Sequence, residues 1–284
     1  MKKFSFVKLQ ASGNDFVLFD KKLNPELSLN SQIISQICSR RFGVGADGVL
    51  VFLAKENYDF ALEYYNADGS SGVLCANGAR CAIKYASLMN LLKNDSAKFT
   101  VNGFDYSGSV VDDRVKFNLN KPSKIKLDFK IKAAGQLINA CFVDTGAPHV
   151  VIDIKDVLES KENLRSFYRT IDNFPAFQIG REIRYSRDFS PNGTNVNFFT
   201  VADGLIYIRT YERGVEDETL SCGTGSVATA IIGYLKYNLA PPIKLKVKSN
   251  DLLEVDFSLT NEKQINNVSL TGPAVLIFNG ELTI

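Results

Sequence analysis

The feature that most constrains this chain is a short pattern that occurs once in each half. Cys75-Ala-Asn-Gly78 leads into a predicted helix over Ala79–Leu92, and Cys222-Gly-Thr-Gly225 leads into another over Ser226–Tyr237. In both halves short β-like segments precede and follow this Cys-x-x-Gly and helix unit. The repeated unit and the similar order of strands predict an internal duplication, with two related α+β domains.

Short β-strands dominate the rest of the pattern. Runs rich in Val, Ile, Leu and Phe, bounded by turn residues, predict strands at Phe4–Leu9, Asp15–Asp20, Val49–Leu53, Phe60–Tyr65, Leu137–Asp144, Thr194–Thr200, Leu205–Tyr211, Ile243–Lys248, Leu252–Phe257 and Val275–Ile284. Apolar residues at helical spacing predict a third helix over Gln32–Arg41. The polar stretch 153–177 gives no clear prediction, and we expect the domain boundary near Asn118–Lys124.

Charge and cysteine content exclude several classes of protein. With 33 basic and 31 acidic residues, the chain lacks the positive excess that nucleic-acid binding requires. Lys8 and Gln10 interrupt the apolar segment that a signal peptide would need, and no basic amphipathic or membrane-spanning stretch is evident. We therefore expect a cytoplasmic protein without nucleic-acid or membrane partners. The five cysteines include no Cys-x-x-Cys pair, which favours reduced thiols over a disulfide scaffold or a zinc site.

Each repeated cysteine stands where a thiol can become reactive. Backbone N–H groups at a helix N-terminus lack helical partners and carry the positive end of the helix dipole. Such a position binds carboxylates, and it lowers the pKa of a thiol from its usual value of about 8.5 towards neutrality. A single segment of this kind is more often a buried cysteine in a tight turn. Two copies in one chain favour a functional pair.

Two thiols of this kind suit the inversion of a stereocentre. One group must remove a proton from one face of a carbon, and another must return a proton to the opposite face. A thiolate and a thiol on either side of a planar carbanion can do this, while the helix ends hold the carboxylate that takes up the charge. Glu212 and Arg213, which precede the second cysteine, could simply form a surface ion pair. Beside an anion-binding turn they could instead bind the ammonium and carboxylate of an amino acid.

The chain resembles the diaminopimelate epimerase family along about nine-tenths of its length. The matching motifs are Gly13–Phe16, Arg41–Gly48, Asn66–Cys81, Gly146–His149, Gly193–Phe198, Glu212–Gly214 and Cys222–Gly225. The resemblance implies two pseudo-symmetric domains, residues 1–119 with 273–284 and residues 120–272. Each would be a strongly curved mixed sheet around a central helix. It also implies an isomerase that converts L,L-diaminopimelate to meso-diaminopimelate in lysine and peptidoglycan precursor synthesis, as a homodimer, with no pyridoxal phosphate and no metal.

The matching motifs also imply roles for individual residues. Cys75 would deprotonate the L,L isomer and Cys222 would protonate the product. The reacting carboxylate would be held by backbone N–H groups of Ala76, Asn77, Gly223 and Thr224. The rest of the amino-acid substrate would be held by the side chains of Asn14, Asn66, Asn195 and Arg213. Glu212 would accept a hydrogen bond from the substrate ammonium and help to set thiol protonation. His149, the only histidine, would modulate the thiols; a purely structural role is an equal alternative.

Two departures from the family pattern keep other functions open. Ala76 stands where the family commonly has Gly, and Ala147 stands in Gly-Ala-Pro-His where Gly-Asn-Pro-His is frequent. Alanine at 147 cannot donate to a substrate carboxylate. The alternatives are therefore a related cofactor-independent racemase with another substrate, such as histidine, or a catalytically silent binding protein. Gly43–Gly48 matches G-x-G-x-x-G, but a predicted helix precedes it and a strand follows, the reverse of a dinucleotide site.

Overall fold

In the computed structural model the chain forms two compact units, Met1–Asn118 with Thr271–Ile284, and Leu119–Leu270. The structure describes residues 2–72, 74–160, 163, 165–262 and 264–284. Val73, within the Asn66–Cys81 motif, lies outside the described residues, as do three residues of the unassigned stretch 153–177. Among the described residues, no helix is both long and apolar enough to cross a bilayer.

The first unit is a mixed sheet with two helices. Its elements are β1 (Lys3–Ala11), β2 (Asn14–Asp20), α1 (Ser31–Cys38), β3 (Gly48–Leu53), β4 (Phe60–Asn66), α2 (Ala76–Leu88), β5 (Ser96–Val101), β6 (Phe104–Val111), β7 (Arg114–Asn118) and the last strand β17 (Val275–Thr283). The strands pair in the order β17-β1-β2-β3-β4-β5-β6-β7. The pairs β2–β3 and β4–β5 are parallel, and the others are antiparallel.

The second unit repeats this arrangement. Its elements are β8 (Lys124–Ala133), β9 (Gln136–Asp144), β10 (Pro148–Asp153), α3 (Ala176–Arg184), β11 (Asn195–Ala202), β12 (Leu205–Glu212), β13 (Asp217–Thr219), α4 (Gly223–Tyr237), β14 (Ile243–Lys246), β15 (Leu252–Leu259) and β16 (Ile265–Pro273), whose last three residues belong to the first unit. Its strands pair in the order β8-β9-β10-β11-β12-β14-β15, with β10–β11 and β12–β14 parallel and the rest antiparallel.

The two units therefore share one sequence of pairings. Parallel neighbours need a crossover connection, and here a helix supplies each one. Helices α1 and α3 lie in the first crossover of each unit, and α2 and α4 lie in the second. The predicted α+β fold with two related halves is confirmed.

The sheet of each unit curves around its second crossover helix. Helix α2 contacts β17 and β1 at one end of its sheet and β6 and β7 at the other, which a flat sheet would not allow. Helix α4 likewise contacts strands from β9 to β15. Residues Gly223–Gly233 of α4 are all buried. A helix enclosed in this way must be lined with small or apolar side chains, and Gly, Ala, Ser and Thr dominate its first two turns.

Both central helices begin earlier than the sequence pattern indicates. Helix α2 starts at Ala76 instead of Ala79, and α4 starts at Gly223 instead of Ser226. The glycines in these turns obscured the helical pattern, because glycine is a poor helix former. Helix α3 at the end of the polar stretch was not predicted, nor were β5 to β8, β10, β13 and β16. Strand β8 is mostly exposed and alternates lysine with apolar residues, so it lacks the apolar run of a buried strand.

Replacement of Gly43 by alanine tests how tightly the loop after α1 is packed. A Cβ there would lie 2.0 Å from the Gln36 carbonyl oxygen and 2.7 Å from that of Ile37. Backbone atoms at a helix end cannot move aside cheaply, so we expect Gly43→Ala to lower the free energy of unfolding by about 3 kcal/mol in urea titrations. Gly103→Ala is the control, because Gly103 has no atom near its Cβ position and a φ of +89°. It should cost only the left-handed backbone strain of about 1–2 kcal/mol. Equal losses would contradict this packing argument.

Candidate active site

Cys75 is the N-cap of α2 in the first unit. Its backbone is extended, with φ −122° and ψ 110°, and its Sγ accepts a hydrogen bond from the Gly78 backbone N–H at 3.5 Å. The sulfur thus takes the place that a serine or aspartate oxygen occupies at an ordinary N-cap. Asn77 and Gly78 in the first turn are buried, so this helix end faces the protein interior.

Asn14 contacts the Cys75 thiol through its carbonyl oxygen. Cys75 Sγ lies 3.5 Å from Asn14 Oδ1, and Asn77 Nδ2 donates to the same oxygen at 3.1 Å. Asn14 Nδ2 donates to Asp47 Oδ2 at 2.8 Å, which fixes the orientation of the amide. Asn77 is oriented in turn by Arg80 Nη2, which donates to its Oδ1 at 2.6 Å. Because a carbonyl oxygen only accepts, Cys75 must be the donor in its contact with Asn14.

A cluster of charged residues around Asp15 and Asp47 holds the Asn14 side chain in place. Asp15 accepts from Arg40 Nη2 at 2.8 Å and from Lys8 Nζ at 2.6 Å, and Arg40 also bridges to Asp47 at 2.6 Å. Burial by itself raises the pKa of the Asp15 carboxyl, but the hydrogen bonds and charges of Arg40 and Lys8 outweigh it, so the pKa is lowered. The hydrogen bonds of Asp15 and Asp47 hold the loop before β3 against the start of β2.

Asn66 ends β4 in the same unit, but its side chain bonds to other partners. Its Oδ1 accepts from the Tyr64 hydroxyl at 2.8 Å, and its Nδ2 donates to Ser70 Oγ at 3.0 Å. Of the residues expected in the first unit, Asn14, Cys75 and Asn77 are joined directly by hydrogen bonds, whereas Asn66 bonds to Tyr64 and Ser70.

Cys222 is the N-cap of α4 in the second unit, and it contacts a hydroxyl in place of a carbonyl. Its Sγ lies 3.6 Å from Thr224 Oγ1. Thr224 Oγ1 in turn lies 3.0 Å from His149 Nε2. Asn197 Nδ2 contacts His149 Nδ1 at 3.2 Å and donates to the Val150 carbonyl at 2.9 Å, and Asn197 Oδ1 accepts from the Thr210 hydroxyl at 3.0 Å. A continuous chain of side chains thus leads from β12 to the second cysteine.

His149 is fully buried and neutral. Burial, followed by the positive charge of Arg213, lowers the pKa of His149 to about 3. Since the nitrogen of Asn197 faces the Val150 carbonyl, its second proton points at Nδ1, which must accept. The proton of the neutral ring is therefore on Nε2, which donates to Thr224.

The remaining expected side chains of the second unit lie at the start of β11 and around the end of β12. Asn195 Oδ1 accepts from the Arg213 backbone N–H at 2.9 Å, and Asn195 Nδ2 donates to the Pro148 carbonyl at 3.0 Å. Glu212 Oε2 accepts from the Thr219 hydroxyl at 2.9 Å. Asn195 thereby fixes the backbone at Arg213, while the side chains of Glu212 and Arg213 are only half-buried.

Sequence comparisons identify the family. The profile of the family described as diaminopimelate epimerase matches residues 6–125 and 141–277. The diaminopimelate epimerase of Aquifex aeolicus is 36% identical over 290 residues, covering 98% of this chain and 97% of that protein. The diaminopimelate epimerase of Chlorobaculum tepidum is 33% identical over 280 residues, covering 97% and 100%.

The chain belongs to the diaminopimelate epimerase family. It is therefore an epimerase, a member of the isomerase class, as the sequence motifs predicted. Solved structures share the fold of this family at low identity. A PhzF-family phenazine biosynthesis protein of Bacillus anthracis has a TM-score of 0.72 at 14% identity, covering 100% of both chains. A hydroxyproline epimerase of Agrobacterium vitis has a TM-score of 0.70 at 13% identity, covering 99% of this chain and 92% of that one.

The strand register relates the two halves of this family member residue by residue. His149 is opposite Asn195 in the parallel pair of the second unit, as Phe16 is opposite Gly48 in the first. His149 and Phe16 are therefore equivalent, and two residues earlier in each unit Ala147 is equivalent to Asn14. Thr224 and Asn77 are equivalent as well, since each lies two residues after its cysteine. The asparagine that contacts Cys75 thus has only a methyl group as its counterpart in the second unit.

Several residues of the site escaped the sequence analysis. Asp47, Arg80, Asn197 and Thr210 orient the residues that were expected, but none was singled out. Asn197 could have been found, because residues two apart in a strand share a face and Asn195 was already a candidate. Arg80 gave a weaker signal, a charged residue within a segment of small ones. Asp47 lies within the matching motif Arg41–Gly48, whereas Thr210 depends on contacts between distant segments, so the sequence offers no signal for it.

Because His149 is the only histidine, its state can be read directly. We expect the imidazole resonances of histidine-labelled protein to remain constant from about pH 5 to pH 8, where an ordinary histidine with a pKa near 6.5 would titrate. The ¹⁵N shifts should correspond to the Nε2–H tautomer. A titration within this range, or the Nδ1–H tautomer, would contradict the hydrogen-bond assignment.

Proposed function

We propose that this protein converts L,L-diaminopimelate to meso-diaminopimelate with Cys75 and Cys222 as its two acid/base groups and without a cofactor. The observation that carries the proposal is that both cysteines are N-caps of buried helices at equivalent positions in two related units. The relatives named diaminopimelate epimerase support the substrate. Formation of the meso isomer would serve lysine and peptidoglycan precursor synthesis.

The proposed reaction moves one proton at each face of the α-carbon. A thiolate takes the α-proton and becomes a thiol, and its electron pair is left on the α-carbon as a carbanion conjugated with the carboxylate. The opposite thiol gives its proton to the other face and becomes a thiolate. The first-turn N–H groups of Ala76, Asn77, Gly223 and Thr224 would hold the carboxylate as its charge rises. Each turnover exchanges the states of the two sulfurs and consumes no other reagent.

The other polar residues would recognise the amino-acid ends of the substrate. Arg213 presents a guanidinium for a carboxylate, and Glu212 an acceptor for an ammonium. Asn14, Asn66 and Asn195 would bind the distal, unchanging end. We further propose that the catalytic domains comprise residues 1–119 with 273–284 and residues 120–272, and that the enzyme is a cytoplasmic homodimer.

Replacement of each cysteine tests the mechanism. We expect Cys75→Ala and Cys222→Ala each to lower kcat for epimerisation by at least about 10²–10⁴-fold in both directions, because each sulfur is base in one direction and acid in the other. Cys81→Ala is a matched control on the same helix, where the thiol is fully buried in the core. It should retain activity within about threefold. Inversion at the normal rate by Cys222→Ala would rule out the two-thiol mechanism.

Exchange of the α-proton in deuterated water tests the substrate. Among L,L- and meso-diaminopimelate, histidine, proline and lysine, we expect rapid exchange only with the diaminopimelates. The panel includes histidine because the Ala147 side chain offers no hydrogen-bond donor to a substrate carboxylate. Introducing such a donor by Ala147→Asn should lower KM for diaminopimelate by about 5–10-fold, the value of one ordinary hydrogen bond. Preferential exchange with histidine would assign another substrate to the same chemistry.

A further inference from the structure

The turn between β12 and β13, residues 213–216, is held by one carboxylate. Glu216 Oε1 accepts from Arg184 Nη2 at 2.8 Å, from Arg184 Nε at 3.1 Å and from the Gly214 backbone N–H at 3.0 Å. Its Oε2 accepts from the Tyr185 hydroxyl at 3.0 Å, and its carbonyl accepts from the Tyr211 hydroxyl at 2.9 Å. Arg184 is the last residue of α3 and Tyr185 is the C-cap. Helix α3 therefore fixes Glu216, and Glu216 fixes the turn.

The backbone of this turn is strained. Glu216 has a φ of +59°, in the left-handed region, where asparagine and aspartate are enriched but glutamate is not. Such conformations persist where the surrounding contacts over-determine them, and they are concentrated at functional sites. Burial by itself raises the pKa of the Glu216 carboxyl, but its hydrogen bonds and the charge of Arg184 outweigh it, so the pKa is lowered. The strain thus indicates a function for what the turn carries.

Arg213 lies in this turn. Its backbone N–H donates to Asn195 Oδ1 at 2.9 Å. Its guanidinium forms no hydrogen bond or ion pair with the other residues that the structure describes, whereas Arg184 and Arg209 are each paired with a glutamate. A half-buried guanidinium on a fixed backbone is suited to bind a carboxylate, because its N–H groups are still available.

Arg184 also contacts the loop before β11. Its Nη1 donates to the Asn192 carbonyl at 3.5 Å, and a Cβ at Gly193 would lie only 1.6 Å from the same nitrogen. This loop leads to Asn195, which binds the backbone of Arg213. One guanidinium therefore joins the two segments that determine where Arg213 lies.

We propose that Glu216 is a positioning residue for substrate binding. Together with Arg184 and Tyr185 it forms a clamp that holds the turn so that Arg213 presents its guanidinium to a carboxylate of the substrate. The inference rests on the proposed function and adds residues outside the matching motifs. Because Arg213 would hold the unchanging end of the substrate, a weaker clamp should raise KM and leave kcat nearly constant.

The first unit supports the equivalent turn in a different way. Ala67 takes the place of Arg213, because the residues two positions earlier both pair with the second residue of the preceding strand. Gly69 in that turn packs on the start of α1, where a Cβ would lie 2.4 Å from Ser31 Cα. In both units the first crossover helix supports the turn. The ionic clamp occurs in the unit whose turn presents an arginine.

Kinetics of Glu216→Gln test the clamp. The amide loses the charge that binds Arg184, so we expect KM for L,L-diaminopimelate to rise about 5–10-fold with kcat within about twofold. Glu218→Gln is the matched control. Glu218 accepts from Arg209 at 2.5 and 2.7 Å and from Lys248 at 3.0 Å, and both partners lie outside the turn. Its KM should stay within about twofold of the wild type. Equal KM values for Glu216→Gln and the wild type would overturn the proposal.

A double variant with Arg213→Ala decides whether Glu216 acts through the guanidinium. Arg213→Ala alone should raise KM about 10–100-fold, the value of hydrogen bonds to a charged group. In this background Glu216→Gln should change KM by less than about twofold, because the group that it positions is gone. Effects that multiply would refute the positioning role. Should Glu216→Gln not fold, Tyr185→Phe replaces it, with a rise of about two- to threefold that is likewise lost without Arg213.

Hydrogen exchange of the turn distinguishes this inference from the proposed function. The N–H groups of Gly214 and Arg213 both donate to side chains, so we expect their exchange to be at least about tenfold faster in Glu216→Gln than in the wild type. If the wild type fails to epimerise diaminopimelate while this difference is found, the substrate is wrong and the clamp stands. If epimerisation proceeds and exchange is unchanged, the function stands and the clamp fails.

Discussion

Each unit depends on a helix that is enclosed by its own sheet. Water cannot reach the first turn of such a helix freely, so its N–H groups need partners within the protein or a bound ligand. In α2, Cys75 Sγ supplies one such partner by accepting from the Gly78 N–H. An enclosed helix end is also a ready anion site, because its dipole is not screened by solvent.

The duplication copies the backbone and leaves the side chains free to differ. Asn77 and Thr224 are at equivalent positions, yet one reaches an asparagine and the other a histidine. Ala147 replaces the counterpart of Asn14, so the second unit lacks the carbonyl that contacts the first cysteine. A racemising enzyme needs two acid/base groups in opposite states, and two identical environments would give no preference for either arrangement.

The ionic cluster around Asp15 contributes orientation more than stability. Partly buried ion pairs lose about as much by desolvation as they gain by attraction, so Lys8, Arg40 and the two aspartates are a poor explanation for the fold. Their hydrogen bonds instead fix the loop before β3 and the amide of Asn14 in one geometry. Asn197 serves the same purpose in the second unit with neutral groups alone.

The sequence by itself determined the reaction class and the duplicated α+β fold, and it predicted Cys75 and Cys222 as the acid/base groups. It could do so because a Cys-x-x-Gly turn at a helix start is a local pattern, and local patterns can be recognised from the sequence alone. It also indicated that Cys38 and Cys141 are core residues, and both are buried. Only the tertiary structure decided the starts of α2 and α4 and the partner of each sulfur. Asp47, Asn197 and Thr210 act through hydrogen bonds between segments far apart in the chain, and the direction of those bonds depends on three-dimensional geometry that residue spacing does not encode.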